Sequence, residues 1–139
     1  EYLTELARSL YDIYHKDLQQ IQLDMDIEPL QLKVATVIPL GLVVNEILAN
    51  SFKHAFPDKQ QGRIWLKLHR GAGQEIILEA GDDGVGISES RDMNKAASLG
   101  LRLIRGMVQH QLKGSLEIKN IGGTQYSIGF RAQGEVKCL

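Results

Sequence analysis

The sequence predicts an α+β fold, a two-layer sandwich in which about three helices cover one face of a mixed, mostly antiparallel sheet of about five strands. Two observations predict it. Apolar residues switch between helical and strand periodicity along the 139 residues, and glycine or proline separates many of these segments. The resulting order is α β α β β α β β. A chain of this length fits one core, so residues 1–139 are expected to form a single domain.

The first half of the chain supplies two helices and a strand. Residues 1–14 place apolar side chains at helical spacing, and residues 21–27 alternate apolar with polar side chains in a half-buried strand that ends before Pro29. Residues 37–55 carry a stripe of apolar and small side chains, which predicts a long helix packed on the sheet. Pro39 fits the first turn of that helix, where its missing N–H is not needed.

The second half supplies the other strands and a third helix. A polar stretch over residues 88–97 has no periodicity and precedes an amphipathic helix over residues 99–108, which Gly114 can end. Short apolar runs near glycine turns predict the strands, at residues 64–68, 76–80, 115–119 and 125–132.

Composition excludes several classes of protein. The net charge is −1 with 16 basic and 17 acidic residues intermixed, which argues against a nucleic-acid partner. The single cysteine, Cys138, cannot form an intrachain disulfide and fits a reducing cytoplasm. The longest apolar run, residues 34–48, is interrupted by polar residues, and no signal peptide is present. We therefore expect a cytoplasmic fragment of a longer protein, starting at Glu1 rather than Met, without direct membrane contact.

One face of the long predicted helix carries polar side chains with a common chemistry. Glu46, Asn50 and Lys53 lie at i, i+4 and i+7, with His54 beside them. An amide oxygen suits Mg²⁺, a lysine reaches phosphate oxygens, and a glutamate accepts a proton or holds a metal-bound water. Each residue alone also fits a solvated helix face. Against that interpretation, Asn50 is a poor helix former and this face borders the apolar stripe, as a cleft wall would.

Asp82 ends a predicted strand and begins the segment Asp-Asp-Gly-Val-Gly, whose Gly84 and Gly86 permit an unusual turn. An ionised carboxylate only accepts hydrogen bonds, so it favours a ligand with an exposed amino group such as adenine N6. A surface hairpin is the alternative interpretation. A calcium loop is disfavoured because the required spacing of acids is missing.

Ser98-Leu99-Gly100-Leu101 is predicted to open the next helix, whose N-terminal N–H groups could bind phosphate, with Ser98 as a plain N-cap the alternative. The loop before it is either a lid or a simple connection. Phosphate-loop, dinucleotide-fold and Ser/Thr/Tyr-kinase motifs are missing from the sequence. The ordered set of acid, amide, lysine and two glycine turns predicts a site for a nucleoside triphosphate and its metal.

These motifs resemble those of the ATP-binding catalytic domain of sensor histidine kinases. Residues 45–56 (Asn-Glu-Ile-Leu-Ala-Asn-Ser-Phe-Lys-His-Ala-Phe) resemble the N box, residues 82–86 the G1 box, residues 98–101 the G2 box and residues 122–124 the final glycine box. The superfamily, with its Bergerat ATP fold, includes gyrase, MutL-type repair ATPases and heat-shock chaperones. Residues 38–42 together with these boxes look most like the HWE-related subfamily.

The resemblance implies a role for each matching residue. Asp82 would bind the adenine amino group, Asn50 would hold Mg²⁺, Lys53 would contact the phosphates, and Glu46 matches the acid with which gyrase-like members activate water, a role less settled in kinases. The other residues implied at the ATP site are His54 at the pocket wall, Gly84, Gly86, Ser98 in place of a family glycine, Leu99, Gly100, Leu101, and Thr124 near the adenine.

The resemblance also implies partners, because no helix here matches the one that carries the phosphoacceptor histidine. That histidine would lie on a dimerisation segment upstream of Glu1, and a response-regulator receiver domain would accept the phosphoryl group. The fragment would bind ATP without phosphorylating itself. The residues are also compatible with two alternative functions. These are an anti-sigma-factor serine kinase of the same fold and a non-catalytic nucleotide-sensing module.

Overall fold

A computed structural model describes residues 2–14, 21–55, 61–85, 95–131 and 137–138. The helices are α1 (Tyr2–Tyr14), α2 (Val34–Asn50) and α3 (Lys95–Gly106); α2 and α3 continue into wider, π-helical turns at Ser51–Ala55 and Met107–Gln111. The strands are β1 (Ile21–Ile27), β2 (Leu30–Gln31), β3 (Gly62–Arg70), β4 (Glu75–Asp82), β5 (Ser115–Lys119), β6 (Gln125–Arg131) and β7 (Lys137–Cys138).

Within the described ranges the main sheet has five strands in the order β1-β3-β4-β6-β5. Only β1 and β3 pair in parallel, and the other neighbours are antiparallel. The predicted α+β fold with a mixed, mostly antiparallel sheet and three helices is therefore confirmed. Strands β2 and β7 form a separate two-residue ladder, which the sequence did not predict because so short a segment carries no periodicity.

The core lies between the sheet and the helices. Alternate residues of β3, β4 and β6 are buried, as the period of two requires, and join the buried faces of the helices in one hydrophobic cluster. Helix α2 is the centre of this layer, since it contacts both α1 and α3 and also β4. Its largest fully buried side chains are Leu40, Val43, Val44, Ile47 and Leu48.

The apolar helix is longer than the run of residues 34–48 indicated by the sequence. The 20 residues Val34–Lys53 are long and apolar enough to cross a membrane by length and composition alone. However, 56% of the most apolar stretch is buried inside the fold, as expected for the core helix of a sandwich. Such a helix is weak evidence for a membrane span.

Two predicted helix starts were wrong. Helix α2 begins at Val34, which makes Pro39 its sixth residue rather than part of its first turn. Pro39 has no N–H to donate to the carbonyl of Ala35. Because Ala35 is exposed, water can reach that end of the helix.

Helix α3 begins at Lys95, so Ser98 is inside the helix and is not its N-cap. Ala96 and Ala97 are strong helix formers, which explains the earlier start.

The burial of α2 predicts that two leucines on the same helix differ in their contribution to stability. Leu48 is 0% exposed and Leu42 is 42% exposed. Leu48→Ala should lower the free energy of unfolding by about 2–5 kcal/mol, because it leaves a cavity in the core. Leu42→Ala, the matched control, should cost less than about 1 kcal/mol. Urea denaturation measures both, and equal losses would contradict the packing described here.

Candidate functional site

A cavity of about 820 Å³ lies between α2 and α3, with α1 at its edge. Glu46, Asn50 and Lys53 line it from α2, as three successive turns of one helix face. Leu99 and Gly100 line it from α3. The remaining described lining residues are Leu10, Asn45, Ala49, Arg102 and Leu103. The volume is within the range of small-molecule and cofactor sites, about 300–1,000 Å³.

Gly100 brings α3 close to the polar face of α2. A Cβ added at Gly100 would lie 2.9 Å from Glu46 Oε2, and 3.3 and 3.4 Å from Asn50 Nδ2 and Oδ1. Even an alanine would therefore displace the Glu46 carboxylate. The missing side chain keeps the acid and the amide at the cavity wall.

The position of Gly100 differs from the prediction in one respect. The sequence placed residues 98–101 at the opening of a helix, where free N–H groups could bind phosphate. In a helix that begins at Lys95, the N–H groups without an intrahelical partner belong to the first four residues. Those of Leu99 and Gly100 lie within the helical hydrogen-bond ladder, so Gly100 acts by close approach rather than by donating an N–H group.

The donor set at the cavity fits a magnesium ion of the kind that nucleotides carry. Glu46 and Asn50 provide one carboxylate and one amide, both half-buried, beside the exposed Lys53. Within the described ranges, no group of three or more His, Cys, Asp or Glu residues could hold a metal ion. An all-protein cage is thus missing from that part of the chain, whereas Mg²⁺ commonly takes one or two protein oxygens and fills its shell with water and phosphate oxygens.

Asp82 is the centre of a second polar cluster, at the end of β4, and is only 2% exposed. Its Oδ1 accepts hydrogen bonds from the backbone N–H of Gly84 at 3.0 Å and of Thr124 at 3.3 Å. Its Oδ2 accepts one from Ser51 Oγ at 2.7 Å. Burial raises the pKa of the Asp82 carboxyl, the three hydrogen bonds lower it, and the nearby Asp83 carboxylate raises it.

The final glycine turn explains how Thr124 reaches Asp82. Gly123 has a φ of +124°, and a Cβ added there would lie 2.0 Å from the Asp82 carbonyl oxygen. Only glycine fits this close approach. The Asp82 N–H also donates to the Thr124 carbonyl at 2.9 Å, so the two segments are joined through backbone and side chain.

Tyr126 connects the Asp82 cluster to the cavity. It is 4% exposed, and its hydroxyl is hydrogen-bonded with the Asn50 side chain. Burial raises the pKa of Tyr126 to about 12, the hydrogen bond with Asn50 opposes the rise, and the charge of Asp82 adds to it. The phenol is therefore neutral at physiological pH. On the other side, Ser51 follows Asn50 directly, so consecutive residues of one helix serve the cavity and the carboxylate.

The predicted site residues thus fall into two adjoining groups. Glu46, Asn50, Lys53, Leu99 and Gly100 line the cavity, whereas Asp82, Gly84 and Thr124 form the buried cluster and Asp82 is not among the described lining residues. Leu101 is half-buried and packs against the core. His54 and Ser98 lie in helical backbone with side chains outside the described part, and Gly86 lies outside the described residues altogether.

Sequence reasoning missed Ser51 and Tyr126. In the sequence, Ser51 is one of the small residues of the stripe over residues 37–55, and Tyr126 lies in the predicted strand of residues 125–132. The signal in both cases is a hydroxyl at a buried position, which must find a hydrogen-bond partner. The partners of these hydroxyls, Asp82 and Asn50, are far away in sequence.

Comparisons with known proteins identify the family to which the chain belongs. Residues 35–134 match the family described as histidine kinase-, DNA gyrase B-, and HSP90-like ATPase. Blue-light-activated histidine kinase 2 of Erythrobacter litoralis (strain HTCC2594) is 33% identical over 89 residues, which are 64% of this chain and 26% of that protein. Sensor histidine kinase PdtaS of Mycolicibacterium smegmatis is 33% identical over 102 residues, 68% of this chain and 20% of that protein. The chain spans only a small part of these relatives.

Solved structures show the same fold. The histidine kinase domain from Erythrobacter litoralis EL346 blue-light activated histidine kinase has a TM-score of 0.84 at 29% identity, covering 94% of this chain and 59% of that one. Mycobacterial sensor histidine kinase MprB, at 21% identity, has a TM-score of 0.71 and covers 95% of each chain, a likeness of fold alone. The family match covers most of the sequence, so the chain belongs to the histidine kinase-, DNA gyrase B- and HSP90-like ATPases.

Proposed function

We propose that this domain binds ATP with Mg²⁺ and presents the γ-phosphate to a histidine on an upstream dimerisation helix, for later transfer to a response regulator. The observation that carries the proposal is the cavity lined by Glu46, Asn50, Lys53 and Gly100, with the buried carboxylate of Asp82 adjoining it. Catalysis in such a site consists of positioning and electrostatic stabilisation of the phosphoryl group.

The adenine end of the proposed site is Asp82. A buried, ionised carboxylate can only accept hydrogen bonds, and the exocyclic amino group of adenine is a donor. Thr124 and Gly84 hold the carboxylate in place from the backbone. Burial raises the carboxyl pKa of Asp82, so keeping this group charged lowers the stability of the fold. This cost supports a role in binding rather than in stability.

The phosphate end is the polar face of α2. Asn50 is the residue that would hold Mg²⁺, which when bound offsets the charge of the phosphate oxygens. Lys53 is exposed at the cavity, where a flexible ammonium group can reach a phosphate. Glu46 lies against Gly100, beside Asn50, so its carboxylate could orient the attacking imidazole as a proton acceptor.

The named relatives support the partners. They are histidine kinases, a class that works with a dimerisation and phosphoacceptor domain and a response regulator, and we propose the same partners here. We also propose a cytoplasmic location, which the single cysteine of the sequence fits. Their names favour a histidine kinase over an anti-sigma-factor serine kinase. Asn50, Lys53 and Asp82 together favour a catalytic domain over a nucleotide sensor that has lost catalysis.

Nucleotide binding should be visible as a rise in melting temperature. A non-hydrolysable ATP analogue with Mg²⁺ at a hundred times its Kd should stabilise the wild-type domain by about 2.7 kcal/mol, because it binds only the folded state. Asp82→Asn should remove most of this shift by placing an amide opposite the adenine amino group. Asp83→Asn, the exposed neighbour, should keep it. An unchanged shift in Asp82→Asn would refute the adenine assignment.

The magnesium assignment has its own control in the same assay. Chelation of Mg²⁺ with EDTA should reduce the wild-type shift. Asn50→Ala should show the reduced shift whether or not Mg²⁺ is present, because the amide ligand is missing. If Asn50→Ala responds to Mg²⁺ as the wild type does, Asn50 is not the ligand.

The cost of keeping Asp82 charged should appear in the stability of the nucleotide-free domain. The folded-state pKa of Asp82 is raised above the ordinary value of 3.8, so between the two values the folded protein holds a proton that the unfolded chain releases. The free energy of unfolding therefore falls as pH rises through that interval. Asp82→Asn escapes this loss and should gain stability relative to wild type as pH rises above 3.8. Urea denaturation at a series of pH values above 3.8 measures it. A relative gain by the wild type would contradict it.

The transfer step requires the longer protein. A version that includes the segment upstream of Glu1 should acquire, on incubation with Mg-ATP, a phosphoryl group that is labile to acid and stable to base, as phosphohistidine is. Glu46→Gln should slow its formation while leaving the nucleotide-dependent melting shift intact. An acid-stable phosphoserine on a partner protein would instead establish the anti-sigma kinase.

A further inference from the structure

We propose that Ser51 is a positioning residue for base recognition, whose hydroxyl holds the Asp82 carboxylate so that one acceptor position stays open to an amino-bearing purine. This inference rests on the proposed function, in which Asp82 binds adenine. It gives a role to a residue for which the sequence motifs imply none, and a reason for the preference between purines.

The geometry is that of a buried side-chain pair. Ser51 and Asp82 are each 2% exposed, and Ser51 Oγ lies 2.7 Å from Asp82 Oδ2. An ionised carboxylate provides no hydrogen for this bond, so the serine must be the donor. The bond joins the end of α2 to the end of β4 across 31 residues of sequence.

Counting acceptor positions shows what the hydroxyl leaves open. A carboxylate has about four lone-pair positions, two on each oxygen. In the described part of the chain, the N–H groups of Gly84 and Thr124 occupy the two lone-pair positions of Oδ1. The Ser51 hydroxyl occupies one of the two positions of Oδ2. One position remains, on Oδ2, for a single donor from the ligand. An adenine amino group supplies that donor, whereas the 6-carbonyl of hypoxanthine supplies only a second acceptor.

The Ser51 hydroxyl donates to Asp82 rather than to its own helix. Serine in a helix often donates back to a carbonyl of the preceding turn. Here the Ser51 backbone N–H is shared between the Ile47 and Leu48 carbonyls, where the helix widens into the turn Ser51–Ala55. The hydroxyl donates to Asp82 instead, so the helix that carries Asn50 also fixes the carboxylate.

The same bond favours the ionised form of Asp82. Burial raises its pKa, and the Ser51 hydrogen bond opposes the rise. The titratable groups beside Asp82 in the described part of the chain are Asp83, which raises the pKa of Asp82 further, and Tyr126 on β6, whose own pKa is raised by the charge of Asp82. Loss of the hydroxyl should therefore shift protonation of Asp82 to higher pH and, with it, the acid limb of ATP binding.

The test compares Ser51→Ala with Ser51→Thr, which keeps the hydroxyl. Calorimetric titration with ATP and with inosine triphosphate, which lacks the amino group, gives the purine preference. Ser51→Ala should reduce the ATP preference about tenfold, and the acid midpoint of ATP binding should move upward, because one charge-assisted hydrogen bond is lost. Ser51→Thr should retain both properties. Ser51→Cys, a weak donor of similar size, should lie between them and serves if the alanine variant does not fold.

The outcomes separate the two proposals. If the wild type prefers ATP and Ser51→Ala keeps that preference and the same acid midpoint, Ser51 is not the positioning residue, while the adenine assignment stands. If the wild type itself binds both nucleotides equally, the assignment of Asp82 fails and this inference fails with it. A loss of affinity for both nucleotides alike, with no change in acid midpoint, marks a merely structural role and also overturns it.

Discussion

The constraint on which this site depends is the satisfaction of one buried charge, that of Asp82. An ionised carboxylate away from water is costly unless donors surround it. Its donors in the described structure come from the end of α2, the turn after β4 and the residue before β6. These segments must therefore be in place together, and placing them also sets Asn50, which precedes Ser51, at the cavity wall. Satisfying the carboxylate and assembling the cavity are one structural requirement.

Helix α2 meets two demands that usually fall on different elements. Its buried face supplies much of the core, and its polar face supplies the acid, the amide and the lysine of the cavity. Gly100 and Gly123 make this possible, because at each the missing Cβ lets another segment approach a polar group closely. A side chain at Gly100 would displace the Glu46 carboxylate, and one at Gly123 would separate the final turn from β4. These two glycines thus act mainly by allowing close approach.

The sequence predicted much of the fold and the grouping along α2, since helical periodicity fixes which residues share a face. It placed Glu46, Asn50 and Lys53 together and Asp82 at a strand end, and the structure agrees. The sequence did not predict the residues whose deciding contact is with a partner far away along the chain. The hydroxyl of Ser51 resembles any small residue of an apolar stripe until Asp82 lies against it. The start of α3 was wrong because Ser98 has strong capping chemistry, whereas the alanines before it extend the helix.

Strand β4 is the middle strand of the five, bonded to β3 on one side and β6 on the other. Asp82 is the last residue of that strand, whereas Asn50, Lys53 and Gly100 belong to the helical layer. Local unfolding draws on the least protected elements first, and a strand enclosed on both sides exchanges its amide hydrogens last. In the proposed complex, fluctuations that part α3 from α2 would therefore loosen the hold on a triphosphate tail while the purine contact persists. A spent nucleotide would then release its charged end before its base.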